Sequence, residues 1–410
     1  MKISKARGLI LAASSLTTVV ALALGSRAHN RRPFTDETVY RLLARNLLEH
    51  DFYGYRPGRA IAYRAPGYPF FDTALRVIHD SNVTVWIAQA FLAGMTVWLA
   101  AWIARRLFGD VAAVAAAVLL AAGGTLAVYA SFELSETLST ATLVAAVAVL
   151  IIAADRNSWR FGIGAGALLG ASILARPQTL LLILPLGLVA AGAACFRDRR
   201  RWLVSLALIE GALIVLIPWT VRNYVRLHAF VPVSTYGGVN FFVANNPLAD
   251  GVFRPASRSL GAEEYARISA LPEVEQDHEY YRLGIEYIRH NPAKSLRNWA
   301  RNGFLYVRRR DPLIDRYYHA RRFAVPRFDD RFLWPFALAG FAVAMRGRRR
   351  WRAALPAIVI AYFVAFFMVF VPLARFRHGV APFLAVYAGA AIGALVTRLR
   401  SARATEKSTQ

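Results

Sequence analysis

Apolar stretches alternate along this chain with short connectors rich in arginine. Apolar runs lie near residues 8–25, 83–104, 111–131, 137–154, 160–175, 178–195, 203–219, 331–345, 353–373 and 379–397. A helix rises 1.5 Å per residue, so a hydrocarbon core of about 30 Å needs about 20 such residues, and the pattern predicts about ten membrane-spanning helices. Two polar intervals exceed what a connector needs: residues 26–82 and 220–330. In the first, Val39, Leu42, Leu43 and Leu47 recur at helical spacing while Arg41, Arg45 and Glu49 take the other face, which predicts a helix lying in the interface plane, with Thr35 as its N-cap. In the second, EVEQDHEYYRLGIEYIRH is followed by Asn291 and Pro292 as N-cap and first helical residue, then by AKSLRNWARNGFLYV, which predicts two amphipathic helices in a small outer domain. The division expected is a membrane module over 1–219 with its outer loop at 26–82, an outer loop domain over 220–330, C-terminal spans over 331–397, and a cytoplasmic tail over 398–410, disordered from roughly 401.

Composition supports the membrane reading. The chain is 57% hydrophobic and 18% charged, with a mean hydropathy of +0.37, well above that of a soluble domain. The net charge of +25, from 50 Lys and Arg against 25 Asp and Glu, would suggest nucleic acid in a soluble protein. Here the cations fall in alternate connectors: Lys2, Lys5 and Arg7, then Arg105 and Arg106, Arg156 and Arg160, Arg197 to Arg201, Arg346 to Arg352, and Arg398 to Lys407. The positive-inside rule then puts both termini in the cytoplasm and every second loop outside, and nucleic acid drops out as a partner. A cleaved signal peptide over 1–25 is the competing reading of the first run, which is long for that purpose. The lone Cys195 excludes an internal disulfide and a multi-cysteine metal site. The glycines of GIGAGALLGA at 162–171 fall four apart with no preceding strand, so they predict close helix packing rather than a dinucleotide loop.

Ionisable groups at a membrane surface are costly to desolvate and are functional candidates. Asp36 and Glu37 read equally as acids complementing a helix dipole or as site acids. Glu133 and Glu136, three apart in FELSE, share a helical face at the outer end of a span, and either could be the second site acid. Arg64, Arg176, Arg222, Arg375, Arg377 and His378 all fall on the outer side against the positive-inside trend; they either snorkel to headgroups or bind an anion. The proline-rich YRAPGYPFF reads as an extended turn into the second span. The sequence holds no HExxH, no P-loop and no Asp-x-Asp pair for a metal-bound nucleotide sugar. Acids and arginines without a nucleotide motif suggest an anionic substrate delivered within the membrane.

The order TDE, RAPGYPFF, LSETL, ARPQTLLLILPL, IPWTVRNY, VSTYGGVNFFVANNP, YYRLGIEYIRHNP and RFRHGVAPFL resembles the polytopic GT-C glycosyltransferases, in particular the bacterial branch related to protein mannosyltransferases, aminoarabinose transferases and lipopolysaccharide-core transferases. The resemblance implies an all-α membrane fold and a sugar donor on polyprenyl phosphate. It further implies inverting transfer on the outer face of the bacterial inner membrane, with a base from the first outer loop. Asp36 matches the leading acid of that loop and Glu37 its neighbour; Arg64 matches the basic residue near the donor phosphate, and Arg222 matches another phosphate ligand less closely. RAPGYP stands where many relatives carry two consecutive prolines.

Chemistry agrees. An attacking hydroxyl must lose a proton to a carboxylate, for which Asp36 is chosen, while Arg64, Arg222 and Arg375 or Arg377 meet charge growing on the leaving phosphate. His378 joins this phosphate-binding set. Glu136 binds the acceptor or steadies the sugar's developing positive charge. The expected function is transfer of a sugar to an envelope glycolipid, polysaccharide or protein acceptor, with surrounding membrane lipid as the other partner. No cofactor is required, and a divalent metal enters only if folding gathers Asp36, Glu37 and Glu136. Alternatives from other classes are a transporter or flippase of lipid-linked anions, and a non-catalytic assembly subunit.

Overall fold

The structure, a computed structural model, describes residues 3–28, 33–56, 58–191, 199–311, 329–346 and 350–409. Among these residues the protein is helices and connecting turns; an isolated bridge between Arg56 and Arg59 belongs to no sheet. The first span, α1 (Ile3–Ala28), leads to two short helices, α2 (Thr35–His50) and α3 (Gly67–Ile78). Then come α4 (Asn82–Phe108), α5 (Asp110–Gly123), the six-residue α6 (Thr125–Ala130), α7 (Ser135–Arg156) and α8 (Trp159–Ala175). A 3-10 turn over Pro177–Leu182 continues into α9 (Ile183–Ala191), followed by α10 (Arg199–Leu227). The outer segment holds α11 (Gly237–Ala244), α12 (Ala262–Ser269), α13 (Glu273–His290) and α14 (Pro292–Arg308). The chain closes with α15 (Leu333–Met345), α16 (Arg350–Val369) and α17 (Ala381–Thr409).

Within the described residues each of the ten apolar runs lies largely on helix, and six helices are long and apolar enough to cross a membrane: α1, α4, α7, α10, α16 and α17. The other four runs are shorter or interrupted. Gly124, at φ +67°, breaks the run of 111–131 into α5 and α6; this left-handed conformation is open to glycine without a steric penalty. Pro177 begins a 3-10 turn instead of an α-helix, and α8 and α15 have 17 and 13 residues. The span expected to end at 219 runs on to Leu227, so the division drawn at 219/220 falls inside α10. The tail expected to be disordered continues α17 to Thr409. Cys195 and the 312–328 part of the outer interval lie outside the described residues.

The glycine stripe on α8 packs as its spacing predicts. A Cβ at Gly162, Gly166 or Gly170 would run into Val204, Leu208 or Ala212 and Val215 of α10, so the two helices meet backbone to backbone. In the outer segment α14 begins at Pro292 with Asn291 as its N-cap, as expected. At α2 the N-cap is Phe34 rather than Thr35, which is already the first helical residue. Arg41, expected on the solvent face of α2, turns inward to pair with Glu133, because that buried carboxylate needs a cation.

Candidate active site

The connections at one end of the bundle bring five charged side chains together. Asp36 is the second residue of α2 and Glu136 the second of α7, so two helix N-termini carry an acid into the same region, where the helix dipole favours negative charge. Asp36 accepts hydrogen bonds from Arg64 (Oδ1 to Nη2, 2.9 Å) and from Arg375 (Oδ2 to Nη1, 3.0 Å). Glu136, 3% exposed, pairs with Arg176 at 2.8 Å and with Nε of Arg375 at 3.6 Å. The Arg176 contact joins opposite charges without hydrogen-bond alignment, since Oε1 of Glu136 has no hydrogen-bond partner. Arg375 thus bridges both acids from the 3-10 turn of Ala374–Gly379, between α16 and α17. Arg176 arrives from the C-cap of α8 and also donates to Oγ of Ser135 at 3.2 Å. Arg64 comes from the loop between α2 and α3, its guanidinium 4.7 Å over the Tyr236 ring.

Three guanidiniums against two carboxylates leave the cluster with a net positive charge. Nε of Arg64 and Nε of Arg375 are buried donors with no hydrogen-bond partner. Unpaired buried donors are rare in folded proteins and ask for an acceptor. Burial pushes the Asp36 carboxyl upward, but Arg375 and Arg64 outweigh it and hold the group below the usual carboxylate range, so it is ionised at neutral pH. The arrangement can bind an anion through guanidinium forks and offers a carboxylate beside it.

The other candidates take different places. Glu37, fully buried, turns away from Asp36: Oε2 accepts from the Phe34 N–H at 2.7 Å and Oε1 from the Glu133 N–H at 2.8 Å. It caps α2 and ties it to the approach to α7. Glu133 is held by Arg41 and, at 3.6 Å, by Arg76, which also donates to Asp72 and Asp80, each at 2.8 Å. Arg222 donates to the carbonyl oxygens of Ile61 (2.6 Å) and Tyr53 (2.9 Å) and lies over the Trp219 ring, so it fastens the first outer loop to α10. Arg377 is fully buried, with Asp330 and the Tyr306 and Arg309 carbonyls around it. His378 contacts Thr140 Oγ1 at 2.8 Å, and burial pushes its pKa down to about 4, so the ring is neutral at neutral pH. Arg222 and Arg377 are thus held by the protein itself rather than gathered with Asp36, while His378 keeps a buried Nε2 without a hydrogen-bond partner, within electrostatic reach of Glu136 and Arg176. Among the described residues no group of three or more His, Cys, Asp or Glu is placed to hold a metal ion; Glu37, at its cap, does not complete the set with Asp36 and Glu136. Sequence reasoning gave Arg176 no role of its own and passed over Tyr236; for Arg176 the signal was its position after a span on the outer side.

A sequence model of the family described as dolichyl-phosphate-mannose-protein mannosyltransferase matches residues 64–221, a segment that carries Arg64, Glu136 and Arg176. Comparison with curated protein sequences finds no match. Among solved structures, the apo oligosaccharyltransferase of Archaeoglobus fulgidus aligns over 97% of this chain and 52% of its own, with a TM-score of 0.54 and 15% identity. The same archaeal enzyme in complex with an inhibitory peptide and a dolichol-phosphate aligns over 96% of this chain and 52% of its own, with a TM-score of 0.53 and 16% identity. This chain therefore spans about half the length of those relatives. ArnT of Cupriavidus metallidurans bound to undecaprenyl phosphate aligns over 95% of this chain and 78% of its own at 16% identity, with a TM-score of 0.45. The chain shares the fold of this archaeal oligosaccharyltransferase, and its long apolar helices make it a multi-pass membrane protein.

Proposed function

We propose that this protein is a membrane glycosyltransferase. It moves a sugar from a polyprenyl-phosphate donor to an envelope glycolipid, polysaccharide or protein at the outer face of the bacterial cytoplasmic membrane. The observation that carries the reading is the cluster itself, an ionised Asp36 held among Arg64, Arg375 and Arg176 with two buried Nε donors left over. The family match over 64–221 and the shared fold support the same class of chemistry. The segment after α10 that carries α11 to α14 acts as the outer domain in this scheme, and both termini lie in the cytoplasm.

The residues divide the work as follows. The donor phosphate takes up the spare donors of Arg64 and Arg375 while its lipid tail stays among the spans. As the phosphate draws these guanidiniums away, Asp36 loses what held its pKa down, and burial makes it a stronger base. The acceptor hydroxyl oxygen attacks the anomeric carbon from the face opposite the phosphate, with inversion, and its proton passes to Asp36. The carbon–oxygen bond to the phosphate breaks with its electron pair leaving on oxygen, where the arginines meet the new charge. Glu136 holds Arg176 and Arg375 in place and opposes the positive charge that develops on the sugar.

The test is turnover by the purified protein in lipid nanodiscs, supplied with polyprenyl-phosphate sugars and envelope acceptors, with products read by mass spectrometry. A covalent sugar on the acceptor is expected, and Asp36→Asn lowers kcat by roughly 10²- to 10⁴-fold, the usual worth of a general base. An Asp36→Asn protein that turns over as fast as the parent would remove the base assignment, and unchanged lipid carried across the bilayer of sealed proteoliposomes would favour a flippase instead.

A further inference from the structure

Beside the cluster lies a cavity of about 220 Å³ walled by the outer helices rather than by the spans. Pockets for drug-sized ligands run to about 300–1,000 Å³, so this space suits one small ring. Glu273, Asp277 and Tyr280 stand at helical spacing on one face of α13; Tyr265 of α12 and the pair Tyr63 and Tyr236 complete the wall. Glycine at 238 lets α11 settle directly on α13, since a Cβ there would strike the Asp277 carbonyl.

The lining decides what fits. It holds four tyrosines and two carboxyl groups but no lysine, arginine or histidine, so it would repel the donor's phosphate that the neighbouring arginines attract. Tyrosine rings offer flat apolar faces with polar tips, which match the C–H face and rim hydroxyls of a pyranose. A cationic ligand is less well matched. Glu273 already accepts from the Ala62 N–H (2.8 Å) and Thr235 Oγ1 (2.6 Å), and Asp277 from the Gly238 N–H at 2.6 Å. Burial also lifts the Asp277 carboxyl to about 6. The cavity shares a wall with the cluster. Tyr236 packs against Tyr63 at 4.7 Å between ring centres, and it carries the Arg64 guanidinium that Asp36 holds.

We infer that this cavity binds a neutral pyranose unit of the acceptor and delivers one of its hydroxyls toward Asp36. The assignment to an acceptor rests on the glycosyl-transfer reading. Binding is therefore measured without turnover, on the full chain in nanodiscs. The probes are the methyl α- and β-pyranosides of glucose, galactose and mannose, followed by saturation-transfer NMR, beside polyprenyl phosphate, one polyprenyl-phosphate hexose and tetramethylammonium. The variants are Tyr265→Ala, at a ring 38% exposed, and the isosteric Asp277→Asn, both checked for folding by thermal unfolding. At least one pyranoside is expected to bind, and Tyr265→Ala should weaken it about fivefold to tenfold through lost stacking, while affinity for both polyprenyl probes stays unchanged. Absence of pyranoside binding, or binding that neither variant weakens, overturns the inference. So does displacement of the pyranoside by tetramethylammonium, or equal weakening of the polyprenyl-phosphate hexose, which would make this the donor's sugar site. Failure of polyprenyl phosphate itself to bind would count against the transferase reading while leaving pyranoside binding measurable.

Discussion

Asp36 faces two demands that pull apart: it must be ionised to take a proton, yet a carboxylate locked to guanidiniums is a poor base. Substrate binding resolves the conflict if the phosphate and Asp36 compete for the same arginines. The pH dependence of kcat/KM, which reports the free enzyme, tests this. In the free enzyme Arg375 and Arg64 outweigh burial and keep the Asp36 pKa low, so the base form persists as pH falls and is lost only on passing through that lowered value. Arg375→Gln removes the stronger of the two opposing charges, burial then dominates, and the acidic limb of the profile should move up toward neutral pH. An unmoved limb would mean that another group sets it. Glu37 shows how little separates a functional acid from a structural one in the sequence. Adjacent residues on a helix point about 100° apart; here one enters the cluster and the other satisfies two backbone N–H groups.

At the scale of elements, the site depends on how α2 and α7 are held. Glu37→Ala leaves the Phe34 and Glu133 N–H groups without their acceptor, and a buried unsatisfied donor costs about 1–3 kcal/mol. Thermal unfolding in detergent should show the loss, together with weakened donor binding as α2 shifts Asp36; an unchanged unfolding temperature would argue that water replaces the cap at no cost. The packing of α8 on α10 has no room to give. Gly166→Val places a side chain against the Leu208 carbonyl, and such overpacking typically costs about 1–3 kcal/mol. The expected result is a lowered unfolding temperature and lower activity through Arg176, which caps α8. Gly164, whose Cβ would meet only Val149 at 3.8 Å, is the control position where Ala is tolerated.

For the whole molecule, charge is sorted by end. At the end opposite the cluster, Asp155 near the C-terminus of α7 pairs with Arg106 of α4 (2.5 Å) and Arg352 of α16 (2.6 Å), where the positive-inside rule places the cytoplasm. Cysteine labelling tests the orientation after Cys195→Ser clears the background. A membrane-impermeant maleimide should reach Glu263→Cys on α12 from outside and should leave Ser401→Cys on α17 untouched until the membrane is opened. The reverse pattern would put Asp36 in the cytoplasm and end the proposed mechanism. The net positive cluster suits the anionic head of the proposed lipid-linked donor.

The sequence by itself determined the membrane class, where the apolar runs form helix among the described residues, the close glycine contact of α8 and the amphipathic pair α13 and α14. Each of these follows from local periodicity or from the cost of placing polar groups in hydrocarbon. It also gathered Asp36, Glu136, Arg64 and Arg375 into one candidate list, because charge at a membrane surface stands out against an apolar background. Tertiary structure alone decided which candidates meet. Arg222 and Arg377 carry the same chemistry as Arg64 and Arg375, but the carbonyls and carboxylates packed around them use up their donors. Whether a guanidinium is spent or spare depends on partners tens to hundreds of residues away, which no local pattern records.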